Sequence, residues 1–360
     1  SGYLKRFVPY LNGSRDVAEP ESLYLWDAAE RAGLTYRNYG EFVATISADD
    51  LASLNSHKAK KYPDLSPNIS EVPTKKTLEG HFCPDFRNFD LLSPDTFTAE
   101  SYTAAVKSGG KSDPVIDRPT PNSGFRGSRF STWQQEFNGY VSTLNSGGGD
   151  KMPNLTIMRF PNDHTSGMKP GQPTPQFDVA DSDYAVGRLV QAVSNSPYWK
   201  DTAIFVVEDD AQNGPDHVDA HRSPALVISA YNRPGALVHN YHTTVSLIRT
   251  MELLLGMQPM NQLDAMATPI DIFQDKPDVR PFKAILPEVS ADNLIVPERH
   301  DAKSAYWVRQ TEKQDLVHED MADPEVLNRA IWFSVRGETD SMPASGRLPV
   351  ADALRTPVLD

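Results

Sequence analysis

The most informative stretch of the sequence is AIFVVEDD, residues 203–210. Its first five residues are all apolar, which is typical of a strand buried on both faces inside a parallel sheet. The strand ends directly in three acidic residues, Glu208, Asp209 and Asp210. Adjacent carboxylates repel one another, and keeping them at the edge of a core is costly unless a cation or a basic group lies nearby. The stretch therefore predicts an α/β fold with a charged site at the end of a buried strand.

Alternating helix and strand patterns extend outward from this stretch in both directions. Apolar periodicity and helix-stop glycines predict strands at 155–160, 203–207 and 225–229, helices at 181–193 and 243–255, and an upstream helix at 25–32 followed by a strand from 34. The proposed start of the helix at 181–193 is a cap at Asp181 or Ser182. The order β-α-β-β-α over 154–256 is that of an α/β sheet with short connections.

The flanking regions are less regular. Residues 41–150 are rich in Pro, Ser, Asn, Asp and Gly, and they predict ordered loops and short helices packed onto a core. Beyond residue 275 only 324–335 predicts a clear helix. No run of apolar residues is long enough for a membrane span. The net charge of −13 disfavours binding to the phosphate backbone of nucleic acids, and the single cysteine, Cys83, is interpreted as a small buried side chain.

Two clusters of acidic residues and histidine follow predicted strands, at the edge of an open α/β sheet where ligands bind. The first is Asp163-His164, and the second comprises Glu208, Asp209, Asp210, Asp216, His217, Asp219 and His221. Carboxylate and imidazole ligands together suit Zn²⁺ or Mn²⁺, and carboxylates alone suit Ca²⁺ or Mg²⁺. A metal at such a site polarises a phosphoryl oxygen and stabilises the charge that develops during displacement.

Simpler interpretations of the same residues stay open at this point. Acidic residues after a strand also cap helices or lie in solvent, and an Asp-His pair also forms a structural hydrogen bond. The histidines outside the clusters are interpreted as surface or helix-cap residues, namely His57, His81, His239, His242, His300 and His318.

Several segments resemble a known family. The run FVVEDDAQNGPDHV at 205–218 is similar to the strand, acidic pair and Asp-His-Val segment of the bacterial phosphoesterase family, which includes non-haemolytic phospholipase C and certain acid phosphatases and belongs to the alkaline-phosphatase superfamily. The runs RSPALVIS at 222–229 and YHTTVSLIRT at 241–250 resemble its next strand and helix, and 25–40 resembles an upstream helix-strand unit. The closest likeness is to a bacterial branch in which this domain can follow a β-propeller.

The resemblance implies an α/β/α sandwich of the alkaline-phosphatase type with a mostly parallel sheet. It implies metal-dependent hydrolysis of phosphate esters, small-molecule or lipid, through a phosphorylated Ser or Thr. The implied metal ligands are Asp163, Asp209, Asp210 and His221, and the implied residues on the phosphate side are His164, Asp216 and His217. The expected metal is Zn²⁺, Mn²⁺ or Ca²⁺, and the expected location is the periplasm or the outside of the cell.

The sequence also departs from the family pattern. The usual histidine four positions after the earlier metal aspartate is Gly167 here, and His164 is the available substitute. No strand ending in a Glu-Asn-Arg type motif precedes Leu25, and Ser14 lies in no convincing nucleophile context. We therefore expect an N-terminal truncation, with the nucleophile outside this chain. The expected organisation is an incomplete domain at 1–275, with an insertion around 41–150, and a C-terminal extension at 276–360 packed on it.

Two other functions stay open on the sequence alone. The missing nucleophile and the long polar insertion fit a non-catalytic, metal-stabilised binding or interaction domain. The same metal scaffold also serves sulfate-ester hydrolysis and phosphate transfer between sugar positions, because fold and metal ligands do not select the substrate.

Overall fold

Helices and short strands alternate along the chain. The computed structural model describes residues 19–47, 69–88, 90–91, 93–117, 127–208, 223–298, 301–316, 322–337 and 340–342. In these ranges the helices are α1 (Leu25–Arg31), α2 (Ala99–Lys107), α3 (Arg129–Asn145), α4 (Pro175–Ser194), α5 (Thr244–Leu255), α6 (Gln262–Met266), α7 (Ala302–Thr311) and α8 (Pro324–Arg336). The strands are β1 (Tyr36–Tyr39), β2 (Val43–Ser47), β3 (Ile69–Pro73), β4 (Leu155–Met158), β5 (Ala203–Val207) and β6 (Ala225–Ser229). The fold is therefore of the mixed α/β class that the sequence predicts.

The chain divides into two units by the density of its internal contacts. The first comprises 1–164 and 251–266, and the second comprises 165–250 and 267–360. This grouping is not the division into 1–275 and 276–360 expected from the sequence, which stays a prediction. Across the described part of the chain, no helix combines the length and the apolar character that crossing a membrane requires.

A parallel pair of strands lies in the first unit. Strands β1 and β4 pair in register from Tyr36 opposite Leu155 to Tyr39 opposite Met158. Helix α1 precedes β1 and ends before Gly33, whose φ of 74° is the left-handed conformation that glycine adopts without steric cost. The buried side chains around this pair form one cluster, namely Trp26, Ala28, Ala29, Tyr36, Leu78, Leu155 and Met257. The predicted helix at 25–32 and the strands that follow 34 and 154 are confirmed.

The region 41–150 holds more regular structure than the sequence predicts. Strands β2 and β3 pair antiparallel, and the 17-residue helix α3 begins after Ser128, whose side chain accepts a hydrogen bond from the backbone N–H of Ser131. The expectation of loops and short helices alone is wrong here. Phe130, Trp133 and Phe137 lie three and four residues apart, so they share one buried face of α3.

Helix α4, in the second unit, begins earlier than predicted. Its cap is Thr174, which accepts a hydrogen bond from the N–H of Phe177, and Pro175 occupies the first turn, where its missing N–H costs nothing. Asp181 and Ser182, the predicted caps, lie instead in the interior of α4 and are buried. The predicted start at these residues is therefore wrong.

Strands β5 and β6 lie where the sequence places them, but their pairing differs from the prediction. They are antiparallel, with Ala203 opposite Ser229 and Val207 opposite Ala225. Most of β5 is only partly buried, and Val207 and Leu226 are exposed. The expectation of a strand fully buried in a parallel sheet is therefore wrong for this pair, because an apolar run does not determine the direction of its neighbour.

Helices α7 and α8 pack together in the second unit around Met168, Val308 and Ala330. The predicted helix at 324–335 is confirmed as α8. The sequence did not predict α7, which begins after Asp301, a residue whose carboxylate accepts hydrogen bonds from the N–H groups of Lys303 and Ser304.

Gly167 sits where a side chain has no room. Its φ is 58°, and a Cβ there would lie 3.0 Å from side-chain atoms of both Leu327 and Thr311, which are buried. We expect Gly167→Ala to lower the free energy of unfolding by about 2 kcal/mol, because left-handed strain and overpacking add. The matched control is Gly235→Ala, with a φ of 65° and no atom within 4 Å of the added Cβ. It should cost only about 1 kcal/mol from backbone strain. Equal losses of unfolding free energy in the two variants, measured by urea denaturation, would show that crowding against Leu327 and Thr311 plays no part.

Candidate metal centre

Asp163 and His164 lie just beyond the end of β4. They occupy a short 3₁₀ helix, Pro161–His164. Between β4 and this helix, the N–H of Arg159 donates a hydrogen bond of 3.1 Å to the carbonyl of Tyr39 in β1. Because β1 and β4 are parallel, their carboxyl ends lie at the same edge. The carboxylate of Asp163 is exposed there, and the ring of His164 is partly buried. This is the edge at which the sequence predicts ligand binding.

A buried ion pair fixes the turn that carries these residues. The guanidinium of Arg129 and the carboxylate of Asp95 are 2.9 Å apart, and both side chains are fully buried. Arg129 also donates to the side-chain oxygen of Asn162 at 3.1 Å, while the N–H of Asn162 donates to Asp95 at 3.2 Å. Asn162 immediately precedes Asp163, so the first turn of the 3₁₀ helix is tied to the core of the first unit.

The same guanidinium organises a second loop. Arg129 donates to four backbone carbonyls at 2.6 to 2.8 Å, those of Arg87, Asn88, Asp90 and Ser93. Carbonyl acceptors disperse the positive charge and satisfy the five N–H donors that arginine carries. Since a buried charge without such partners is strongly unfavourable, the backbone of these four acceptor residues and the turn at 161–164 are held in one arrangement. Neither composition nor local spacing signalled Arg129 as part of the site.

A second polar network lies on the side of β1 that faces α3. The carboxylate of Glu136 accepts from Nε and Nη2 of Arg37 at 2.9 and 2.5 Å and from the hydroxyl of Tyr39 at 2.8 Å. Arg37 and Tyr39 are two residues apart, so both point to the same side of the strand. Tyr140, one turn along α3 from Glu136, donates to the same carboxylate at 3.4 Å.

The charges of this network shift its pKa values. Burial alone would raise the pKa of Glu136, but hydrogen bonds from Arg37 and Tyr39 and the positive charge of Arg37 outweigh it and hold the pKa below its ordinary value. Burial and the neighbouring carboxylate raise the pKa of the Cys83 thiol to about 12. Cys83 is a buried thiol without thiolate character, as the sequence interpretation expected.

The backbone just after the candidate residues is strained. Thr165 has a φ of 62°, an uncommon conformation for a β-branched residue. Its hydroxyl oxygen accepts a hydrogen bond of 3.1 Å from the N–H of Gly167, which helps to hold this conformation. Strained residues of this kind are concentrated at binding and catalytic sites.

The second predicted cluster lies largely outside the described residues. Asp209, Asp210, Asp216, His217 and His221 all fall in 209–222. The residues that flank this segment, Glu208 and Ser223, lie close to each other. The hydroxyl of Ser223 donates to the carbonyl of Glu208 at 2.9 Å, and the N–H of Glu208 donates to the carbonyl of Pro224 at 3.4 Å. The segment therefore leaves and re-enters the described chain at one end of the β5–β6 pair.

Asp163 and His164 are chemically suited to a metal but do not complete a centre. They offer one carboxylate and one imidazole, whereas a zinc site takes about four ligands. Within the described ranges no group of three or more His, Cys, Asp or Glu side chains is arranged to hold a metal ion. The ligand roles of Asp209, Asp210 and His221 therefore stay predictions from the sequence.

Comparison with known proteins adds no assignment. No protein-family model, no curated protein and no solved structure matches the chain. The resemblance to phosphoesterases stays an expectation that rests on residues 25–40, 205–218, 222–229 and 241–250.

Proposed function

We propose that this chain is the metal-binding portion of a hydrolase of phosphate esters. The observation that carries the proposal is the position of Asp163 and His164, just past the carboxyl end of a parallel strand. The turn that presents them is secured by the buried Arg129–Asp95 pair and Asn162. Metal and phosphate sites in α/β proteins characteristically lie at this edge. The segment 209–222 contains the acidic and histidine residues that the family resemblance selects.

Each candidate residue has a proposed role. The metal ligands are Asp163, Asp209, Asp210 and His221, and the residues on the phosphate side are His164, Asp216 and His217. A bound divalent metal, Zn²⁺, Mn²⁺ or Ca²⁺, would supply Lewis-acid stabilisation of a phosphoryl oxygen. The carboxylates would orient the metal, and the imidazoles would bind or exchange a proton with the phosphate.

The wider setting belongs to the same proposal. The complete fold would be an α/β/α sandwich of the alkaline-phosphatase type. The parallel strands β1 and β4 would be two strands of its sheet. The nucleophile would come from protein sequence outside this chain. The parent would act on a small-molecule or lipid phosphate ester in the periplasm or outside the cell, with a β-propeller as a candidate upstream domain.

The first test is metal content. Purified chain dialysed against Zn²⁺, Mn²⁺ or Ca²⁺ is expected to retain stoichiometric metal by inductively coupled plasma mass spectrometry. The Asp209→Asn/Asp210→Asn variant should retain at least about tenfold less metal. Even the loss of a residue that hydrogen-bonds to a metal ligand lowers metal affinity by about that factor or more, and these two residues are proposed as ligands themselves. The control is Glu325→Gln/Asp340→Asn, which removes two acidic residues of exposed ion pairs elsewhere. Equal metal content in both double variants would contradict the assignment.

The second step separates hydrolysis from binding alone. Metal-loaded parent protein is expected to hydrolyse p-nitrophenyl phosphate, and the Asp209→Asn/Asp210→Asn variant should not. Metal binding without turnover by the parent would favour the alternative, a metal-stabilised interaction domain, over the phosphoesterase.

A further inference from the structure

A pocket in the second unit presents a set of polar groups unrelated to the proposed metal ligands. Its volume is about 260 Å³, suited to a small ligand. It is lined by residues that precede α5 and by the chain around 268–271, among them Arg233, Leu237, His239, Asn240, His242 and Asp271. From the sequence alone, His239 and His242 are expected to be isolated surface or cap residues. The fold brings them into one cavity with an arginine.

The guanidinium of Arg233 is held in place at this pocket. It donates to the side chain of Asp271 at 3.3 Å and to the carbonyl of Asp271 at 2.5 Å, and the N–H of Arg233 donates to the carbonyl of Ile272 at 2.9 Å. The side chain of Arg233 is still 47% exposed, so part of its surface remains accessible to a ligand. The carboxylate of Asp271 is 90% exposed, so water screens its charge.

The ring of His242 forms part of the pocket wall. Its Nδ1 atom is buried and has no hydrogen-bond partner among the described residues. That atom is closed off from water in this structure, so a ligand in the pocket would meet the other atoms of the ring. A ligand in the pocket lies beside this ring and also beside His239 and Asn240, which supply further ring and amide nitrogens.

The charge of these groups decides between a cation and an anion. An arginine in the wall repels a metal ion, and the described residues form no group of three or more metal-ligating side chains. Helix α5 begins two residues after His242, and the positive end of a helix dipole favours an anion. A phosphate offers more acceptor oxygens than a planar carboxylate for Arg233, the Asn240 amide and the two imidazoles to bind.

We propose that this pocket binds a tetrahedral oxyanion, either inorganic phosphate or the phosphate head of a small organic ester. The exposed side chain of Leu237, with Val238 beside it, offers an apolar wall that the organic part of an ester would contact. The pocket shares no residue with the proposed metal site, so its role stands or falls separately from hydrolysis.

The test is titration of the full chain with inorganic phosphate by isothermal calorimetry. Saturable binding is expected, and Arg233→Gln should weaken it about tenfold, the factor that corresponds to losing one charge-assisted hydrogen bond. His242→Gln should weaken it by a smaller factor. Asp271→Asn should tighten it, since removing a nearby carboxylate favours an anion and would disfavour a cation.

Matched controls make the outcome decisive. Arg329→Gln removes an arginine of similar exposure that is also paired with a carboxylate, Glu325, and it should leave phosphate affinity unchanged. Thermal unfolding of each variant checks that the fold is intact. The proposal is overturned if phosphate does not saturate, if Arg329→Gln weakens binding as much as Arg233→Gln, or if binding depends on Asp209 and Asp210 instead.

A second titration distinguishes the two sources of the oxyanion. Phenyl phosphate binding more tightly than inorganic phosphate, with the difference removed by Leu237→Ser, would identify an organic ester as the ligand. Equal affinity for the two probes, unaffected by Leu237→Ser, would identify free phosphate.

Discussion

Replacing Arg129 with methionine is expected to lower the free energy of unfolding by about 3–5 kcal/mol. Methionine keeps much of the volume, so the loss arises from polar groups rather than from a cavity. The carboxylate of Asp95, which is fully buried, would lose the guanidinium that lies 2.9 Å away, and four backbone carbonyls would lose a donor. A buried charge left without compensation is among the largest single-residue penalties in proteins.

Urea denaturation measures the loss, and hydrogen exchange of α3 and of 155–164 locates it in the first unit. Arg129→Met/Asp95→Asn should recover part of the stability, because the unpaired charge is then gone. The control Arg329→Met, from an exposed ion pair in α8, should cost about 0.5 kcal/mol or less. A loss below about 1 kcal/mol for Arg129→Met would contradict this account, because a buried carboxylate and four carbonyls without a donor cost more than one neutral hydrogen bond.

The same variant links stability to the site. Arg129 binds Asn162, the residue before Asp163, so it is a positioning residue for the proposed metal ligand. Metal content in Arg129→Met, measured under conditions where the protein remains folded, would report how much the turn at 161–164 depends on this ion pair.

Local sequence patterns were sufficient for many helices and strands. The face formed by Leu25, Ala28 and Ala29 predicted α1, and the apolar runs at 203–207 and 225–229 predicted β5 and β6. These signals work because helices and strands place side chains at characteristic spacings. The pairing of β5 with β6 was not predictable in the same way. A five-residue apolar run fits a parallel or an antiparallel neighbour equally, and partial burial of one face is set by the rest of the fold.

The interactions that hold the candidate site could not be read from sequence for a different reason. Arg129, Asp95 and Asn162 are separated by 33 to 67 positions, so no local pattern connects them. Helix α3 did carry a signal in Phe130, Trp133 and Phe137, but the helix also contains Ser, Thr and Gly residues, which obscured its period. The sequence also does not show whether an isolated histidine such as His242 caps a helix or lines a binding pocket. Only the fold shows that His242 and Arg233 line the same pocket.

The sequence predicted the position of only two of the candidate metal-site residues, Asp163 and His164. Asp163 and His164 follow β4 at the carboxyl edge, as expected from a strand that ends in Pro161-Asn162. The five residues in 209–222 stay predictions, because that segment lies outside the described ranges. Their roles rest on residue type and resemblance, which select metal chemistry but not the metal.

Glu136→Gln is the second substitution expected to have a large effect, a loss of about 2–3 kcal/mol in the free energy of unfolding. Glutamine has nearly the same shape, so packing against β1 is kept. Its amide, however, carries no negative charge and offers one acceptor oxygen where Arg37 and Tyr39 now donate to two. The positive charge of Arg37, only 19% exposed, would then lack its partner.

The dependence of this loss on pH follows from the lowered pKa of Glu136. A carboxyl group whose pKa is lower in the folded chain than in the unfolded chain stabilises the fold fully above the unfolded value, here the ordinary 4.5. That contribution disappears as the pH falls through the folded value. The difference between the wild-type protein and Glu136→Gln should therefore be largest near neutral pH and should shrink progressively below about pH 4.5.

Urea midpoints measured from neutral pH down to about pH 3 test both the size and the sign. The control is Glu325→Gln, whose exposed ion pair with Arg329 should be worth about 0.5 kcal/mol or less at every pH. If the stability difference between wild type and Glu136→Gln grows as the pH falls, the pKa of Glu136 must be higher in the folded chain than in the unfolded chain. The hydrogen bonds from Arg37 and Tyr39 predict the opposite, a lowered pKa. A difference that grows in this way would mean that Arg37 does not pair with Glu136 in solution, and that burial alone governs this carboxyl group.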